Sequence, residues 1–166
     1  NGGDGFAAAR FLSDGSMGMR RSVLIGYAGP LTDSGVPDES KMSAECTRQY
    51  RLAMDAGISI VTGDAILSCL AQISVIVDAI FGIGISRPVE GFVARLLNEA
   101  ARSAIPVLAV DIPSGLCADT GAIMGTVLPA RATVTMQALK AGLLLGDGAN
   151  ACGCITICNI GIDLAP

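Results

Sequence analysis

Apolar residues along this chain fall into short unbroken runs, and the runs alternate with stretches where apolar residues recur at helical spacing. Val23-Leu24-Ile25, Val75-Ile76-Val77 and Val107-Leu108-Ala109-Val110 are rich in β-branched residues and show no polar alternation. Each leads into a polar or glycine-rich loop. Strands buried on both faces of a parallel sheet read this way, and Ile58 to Val61 is a further candidate strand. Between them lie helical patterns. Phe6 to Leu12 predicts a short Ala-rich helix opened by a glycine loop. Asp38 to Ala56 sets Met42, Cys46, Leu52 and Ala53 at helical spacing, with Gly57 placed to stop it. Val89 to Arg102 carries Phe92, Val93, Leu96, Leu97 and Ala100 on one face. This alternation predicts an α/β sandwich with a mostly parallel sheet. Beyond Asp111 the character changes. Turn signals at Pro113-Ser114-Gly115 and Asp119-Thr120-Gly121 separate shorter β-like runs, Ala132 to Met136 and Ile155 to Ile157. The segment Ala28 to Ser40, with two prolines and two glycines, reads as a mobile surface loop.

Composition narrows the function classes. A length of 166 residues suits one domain, 1–166. Apolar residues make up 51% and charged residues 16%, against about 25% charged in an average domain. That excludes a disordered chain and implies a large core. Eleven Lys and Arg stand against fifteen Asp and Glu, a net charge of -4. With no basic excess, and 4% aromatic residues, nucleic acid is not the expected partner. Histidine is absent, so acid–base work falls to Asp, Glu, Lys, Cys or Tyr, and histidine metal ligands are excluded. No run of about 18 apolar residues marks a membrane span. The first residues do not read as a signal peptide, and without an initiator Met the chain reads as a piece of something longer. Of the six cysteines, Cys152, Cys154 and Cys158 would share one face of a strand. They read either as a soft-metal site or as small buried hydrophobes. Reduced thiols and no export signal predict a cytoplasmic protein.

Chemistry concentrates in three loops, because ligands of parallel sheets gather outside the carboxyl ends of the strands. Asn1-Gly2-Gly3-Asp4-Gly5 runs into a helix, and its glycines would let the backbone approach an anion. Asp78 ends a buried apolar run, where a carboxylate needs a partner or a cation. Gly82, Ile83, Gly84, Ile85, Ser86, Arg87 and Pro88 follow it, offering backbone donors, a hydroxyl and a cation to a diphosphate. This is not the dinucleotide fingerprint, because Arg87 occupies the third glycine position. Asp111 likewise follows an apolar strand, in Val110-Asp111-Ile112-Pro113-Ser114-Gly115, and is a candidate general acid/base. Asp78 with Ser114 and Asn1 offers oxygen ligands suited to a hard cation. Lys140 lies in an otherwise apolar stretch and either snorkels to solvent or faces a polar site.

Together these motifs resemble one family. N-G-G-D-G, V-D-A-I-F-G-I-G, V-D-I-P-S-G-L-x-x-D-T-G and A-L-K-A-G-L, closing with Asn159-Ile160-Gly161-Ile162, occur in the order found in the NAD(P)H-hydrate epimerase domain, the YjeF N-terminal domain. The resemblance implies a three-layer α/β/α, Rossmann-like sandwich with a mostly parallel central sheet. It also implies that N-terminal helices and a first strand are missing here. The implied activity is an isomerase reaction of cofactor repair. The R and S forms of hydrated NADH and NADPH (NADHX and NADPHX) are interconverted at C6 of the nicotinamide ring. A fused or separate ADP- or ATP-dependent dehydratase then acts on the S form. By similarity, Asp111 would be the substrate-contacting acid/base and Lys140 a second proton-transfer or phosphate candidate. Gly82 to Pro88 would hold the diphosphate, and Asn1, Gly2, Gly3 and Asp4 would line the pocket. Asn1, Asp78 and Ser114 would bind a potassium ion, and the full-length protein would form a homodimer. Some relatives of this domain serve as non-catalytic dimeric scaffolds or binding modules. The retained Asp111, Asp78, Ser114 and glycine loop favour the enzyme over that alternative. A dehydrogenase is disfavoured by the broken fingerprint and the missing histidine.

Overall fold

The computed structural model describes residues 2–15, 18 and 21–162. The chain divides into two compact units, Asn1–Ala71 and Gln72–Pro166. In the first unit, α1 (Gly2–Asp14), β1 (Leu24–Tyr27), α2 (Ala44–Asp55), β2 (Ser59–Thr62) and α3 (Asp64–Cys69) follow one another. β1 and β2 pair in parallel, with Leu24 opposite Ser59 and Tyr27 opposite Thr62. Phe6 and Ala9 of α1 are buried with Ala53 and Ile58. The Phe6 ring stacks on Tyr27 at 6.2 Å and meets Tyr50 edge-on at 5.5 Å. Such pairs add directional attraction to plain area burial.

Two sequence expectations are corrected in this unit. The glycine-rich segment is not a loop: Gly2, Gly3, Asp4 and Gly5 form the opening turns of α1. Small residues suit that place because α1 lies against α2. A Cβ on Gly2 would come within 3.5 Å of the Cys46 Sγ, and one on Gly3 within 3.6 Å of the Cys46 Cα. Asp4 in the first turn also meets the positive end of the helix dipole. The single helix expected over Asp38 to Ala56 is instead a 3-10 turn, Glu39–Lys41, followed by α2. Asp38 caps the turn through the Ser40 N–H, and Ser43 caps α2 through the Cys46 N–H. Two polar caps five residues apart, Asp38 and Ser43, restart the helix, because each satisfies the first donors of its own segment. The segment Ala28 to Ser40 is largely exposed but held by its own backbone. The Thr32 N–H donates to the Val36 oxygen, and the Asp38 N–H donates to the Pro30 oxygen.

The second unit contains β3 (Ile76–Asp78), α4 (Gly91–Arg102), β4 (Val107–Val110), β5 (Ala132–Met136), α5 (Gly148–Ala151) and β6 (Cys154–Cys158). Its sheet has the order β3-β4-β5-β6, and every pairing is parallel. The crossover helix α4 buries Leu97 and Ala100 against Val107 and Ala109 of β4, with Leu128 and Ala130 completing the cluster. A second cluster joins Ile112, Leu116, Ala118, Leu143, Ala151 and Cys152. Burial of β4 alternates. Val107 and Ala109 are buried, while Leu108 and Val110 are half-buried. The expected burial on both faces is thus complete on the α4 side. The three cysteines near the carboxyl end do not share a face. Cys152 is buried ahead of β6, and its thiol donates to the Leu143 oxygen at 3.2 Å, while Cys154 and Cys158 are exposed. Gly153, at φ +57°, turns the chain between them.

Leu97 has no exposed surface, so Leu97→Ala opens a cavity between α4 and the sheet. We expect a loss of about 3 kcal/mol of unfolding free energy, measured by urea titration.

Candidate active site

Parallel pairing of β3, β4 and β5 brings their carboxyl ends to one edge of the second unit, and two acidic residues stand there. Asp78 is the last residue of β3 and is 2% exposed. One carboxylate oxygen accepts the Ser114 N–H at 2.7 Å. The other accepts the Ser114 hydroxyl at 2.6 Å and the Ile80 N–H at 3.4 Å. Ser114 is fully buried, and its hydroxyl in turn accepts the Phe81 N–H at 3.0 Å. Burial pushes the Asp78 carboxyl above its ordinary range, opposed by the donors of Ser114 and Ile80. The turn after Ser114 requires glycine. Gly115 has φ +95°, and a Cβ there would sit 1.8 Å from the Thr126 oxygen.

Asp111 follows β4 directly and adopts φ +72°, a left-handed conformation that Asp tolerates better than most non-glycine residues. Its N–H still pairs with the Val134 oxygen of β5 at 2.7 Å. The turned backbone carries the side chain to the end of β5. There one carboxylate oxygen accepts the Lys140 ammonium, the Met136 N–H at 3.1 Å and the Thr135 hydroxyl at 3.4 Å. The Lys140 ammonium also donates to the Met136 oxygen at 2.7 Å. The side chains of Lys140 and Asp111 are only 17% and 12% exposed. Lys140 therefore faces a polar site rather than solvent. A mostly buried ion pair with further hydrogen bonds on both partners is geometrically constrained and holds a proton donor beside a proton acceptor.

The loop from Gly82 to Pro88 is anchored at both ends. Phe81 is tied to Ser114, and the Val89 N–H donates to the Met124 oxygen at 2.8 Å. Between the anchors Gly82 is buried and Ile85 half-buried, whereas Ile83, Gly84, Ser86, Arg87 and Pro88 are exposed. No helix starts until Gly91, so this segment offers backbone donors without a helix end behind them. Gly2, Gly3 and Asp4 belong to the first unit, within α1. Asn1 lies outside the described residues. Among the described residues no group of three or more His, Cys, Asp or Glu side chains is placed to hold a metal ion. None of the described helices is long and apolar enough to cross a membrane. A shallow hollow of about 280 Å³, lined by Pro106, Leu108, Arg131, Ala132 and Cys154 among others, lies at the amino ends of the strands. It is remote from both carboxylates.

Thus the structure unites Asp111 with Lys140, and Asp78 with Ser114. Thr135, the Met136 backbone and Gln137 were not singled out from sequence. Gln137 is a non-glycine residue at φ +61°, and its side-chain amide bonds to Ile160 and Ile162. Ser114→Ala removes a buried donor from Asp78. We expect about 2 kcal/mol of destabilisation, measured by urea unfolding.

The profile of the family described as YjeF-related protein N-terminus matches residues 1–142. A protein of Oenococcus oeni named NAD(P)H-hydrate epimerase is 37% identical over 162 residues, covering 98% of this chain and 70% of that one. A like-named protein of Weissella koreensis is 37% identical and is 66% covered. The chain therefore spans about two thirds of the length of these relatives. A Thermofilum pendens protein named bifunctional NAD(P)H-hydrate repair enzyme is 37% identical over 158 residues, covering 92% of this chain and 28% of that protein. The crystal structure of yeast ynu0 shares the fold, with a TM-score of 0.72 at 20% identity, covering 98% of this chain and 62% of that one.

Proposed function

The chain belongs to the family of YjeF-related protein N-termini, and on that premise we propose that it is an NAD(P)H-hydrate epimerase. It interconverts the R and S forms of hydrated NADH and NADPH at C6 of the nicotinamide ring. The observation that carries this reading is the Asp111–Lys140 pair at the carboxyl ends of β4 and β5. In the substrate the C6 hydroxyl neighbours the ring nitrogen. Protonation of that hydroxyl lets the nitrogen lone pair expel water, which leaves a cyclic iminium ion. Water returning to the other face of C6 and losing a proton gives the opposite epimer, with no net change in atoms or electrons. Asp111 delivers and recovers the proton, and its carboxylate opposes the positive charge of the intermediate. Lys140 orients that carboxylate and serves as the second proton carrier. The Gly82–Pro88 backbone and the Arg87 guanidinium receive the diphosphate. The product class fits a dehydratase that acts on one epimer, in keeping with the bifunctional repair enzyme among the relatives.

Asp78 and Ser114 fit a singly charged hard cation such as potassium. Both present oxygen, and the buried Asp78 carboxylate meets only neutral donors among the described residues. One carboxylate with neutral oxygens matches the charge of such an ion better than that of a transition metal. Such an ion would supply a fixed positive charge there, and Ser114 and Phe81 tie that centre to the start of the Gly82–Pro88 loop.

Asp111→Asn keeps a side chain that tolerates the left-handed turn. We expect at least ~100-fold slower conversion of R-NADHX to the S epimer, followed by chromatography. Unchanged turnover would remove Asp111 from the chemistry, and absence of conversion by the unaltered protein would favour the scaffold reading. In a separate measurement, potassium should raise the thermal midpoint more than sodium at equal ionic strength, and Asp78→Asn should abolish the difference. Equal midpoints in the two salts would exclude a selective cation site.

A further inference from the structure

We propose that Gln137 is a positioning residue for the Asp111–Lys140 pair, and that it acts by clamping residues 159–162 against the end of β5. The inference rests on the epimerase reading and extends it to a residue outside the reacting pair. Gln137 sits between Met136 and Ala138, at the point where β5 ends, with φ +61°. A glutamine in that conformation is unfavourable by itself and persists only where surrounding contacts over-determine it. Those contacts come from the segment after β6. The Gln137 N–H donates to the Cys158 oxygen at 2.7 Å. Its side-chain oxygen accepts the Ile160 N–H at 2.9 Å and the Ile162 N–H at 3.4 Å, and its amide nitrogen donates to the Ile162 oxygen. The clamped segment has a shape of its own. The Asn159 side chain accepts the Gly161 N–H at 2.7 Å, and Gly161 takes φ +81°. The Asn159-Ile160-Gly161-Ile162 motif thus forms a tight turn that presents two backbone donors to one glutamine.

The same turn of β5 serves the pair. The Met136 N–H is a donor to Asp111, and the Met136 oxygen is an acceptor for Lys140. The Ala138 N–H closes onto that Met136 oxygen at 2.7 Å, across Gln137. Residues 136–138 are therefore a bracket with Asp111 and Lys140 on one side and the 159–162 segment on the other. Loss of the clamp removes the contacts that hold Gln137 left-handed. The bracket then relaxes, and both Met136 contacts to the pair loosen with it.

The test compares the unaltered protein with Gln137→Met, which keeps the length but loses the side-chain hydrogen bonds, and Gln137→Glu, which keeps an acceptor oxygen. Amide hydrogen exchange is read at Ile160, Ile162 and Met136, and epimerisation of R-NADHX is resolved into kcat and KM. In Gln137→Met we expect exchange at all three amides to accelerate by about tenfold or more, with kcat falling by about tenfold and KM within about twofold. Gln137→Glu should restore part of both effects. Faster exchange at Ile160 and Ile162 with Met136 and kcat unchanged would overturn the proposal, because the clamp would then position nothing. Unchanged exchange at Ile160 and Ile162 would overturn it as well. If the unaltered protein does not epimerise R-NADHX, the proposed activity fails by itself, and the Met136 amide alone decides whether the bracket depends on the clamp.

Discussion

The carboxylate of Asp111 ties the carboxyl end of β4 to that of β5, and the arrangement of polar groups at that end of the sheet depends on the tie. A parallel sheet brings strand ends together but leaves their side chains pointing along two faces. The left-handed turn at Asp111 breaks that pattern. It redirects one carboxylate toward the last residues of the neighbouring strand, where the Met136 N–H, the Thr135 hydroxyl and the Lys140 ammonium converge on it. A strained backbone at a buried charge is costly, and it is offset here by several donors on one oxygen.

Asp78 illustrates the contrasting solution. It also ends a strand and is more deeply buried, but its partners are the neutral N–H and hydroxyl of Ser114. Burial pushes its carboxyl above the ordinary range, and among the described residues its hydrogen-bond donors are neutral. Asp111 already has a cation of its own in Lys140. Two carboxylates at the same end of one sheet thus differ in character because of what each strand places opposite them. Among the described residues one meets neutral donors only, the other a lysine ammonium.

The order within the second unit spreads outward from these two centres. Ser114 links Asp78 to Phe81 and so to the start of the Gly82–Pro88 loop, while Val89 at the far end is fastened to Met124. Gln137 links the end of β5 to the segment after β6. Two of these connections pair a side chain with a backbone N–H, Ser114 with Phe81 and Gln137 with Ile160, and the third is backbone to backbone.

Element types and the chemical inventory were legible in the order of residues alone. The unbroken β-branched runs at 75–77 and 107–110 became strands, and the apolar stripe from Phe92 to Ala100 became α4, because period and composition are local properties of the chain. An acid directly after each of two buried runs, together with a lysine in an apolar stretch, identified Asp78, Asp111 and Lys140 as candidates, and four ordered motifs pointed to the family. Local competition decided the misreadings. Two caps divide the helix expected after Asp38, and the glycines at residues 2–5 are helical because small residues suit a helix packed against a neighbour. Which groups meet is set by the folded arrangement. The pairing of Asp111 with Lys140 spans 29 residues, that of Asp78 with Ser114 spans 36, and Gln137 reaches residues 160 and 162. Strand register and left-handed turns set these encounters, and neither leaves a signature in the residues that meet.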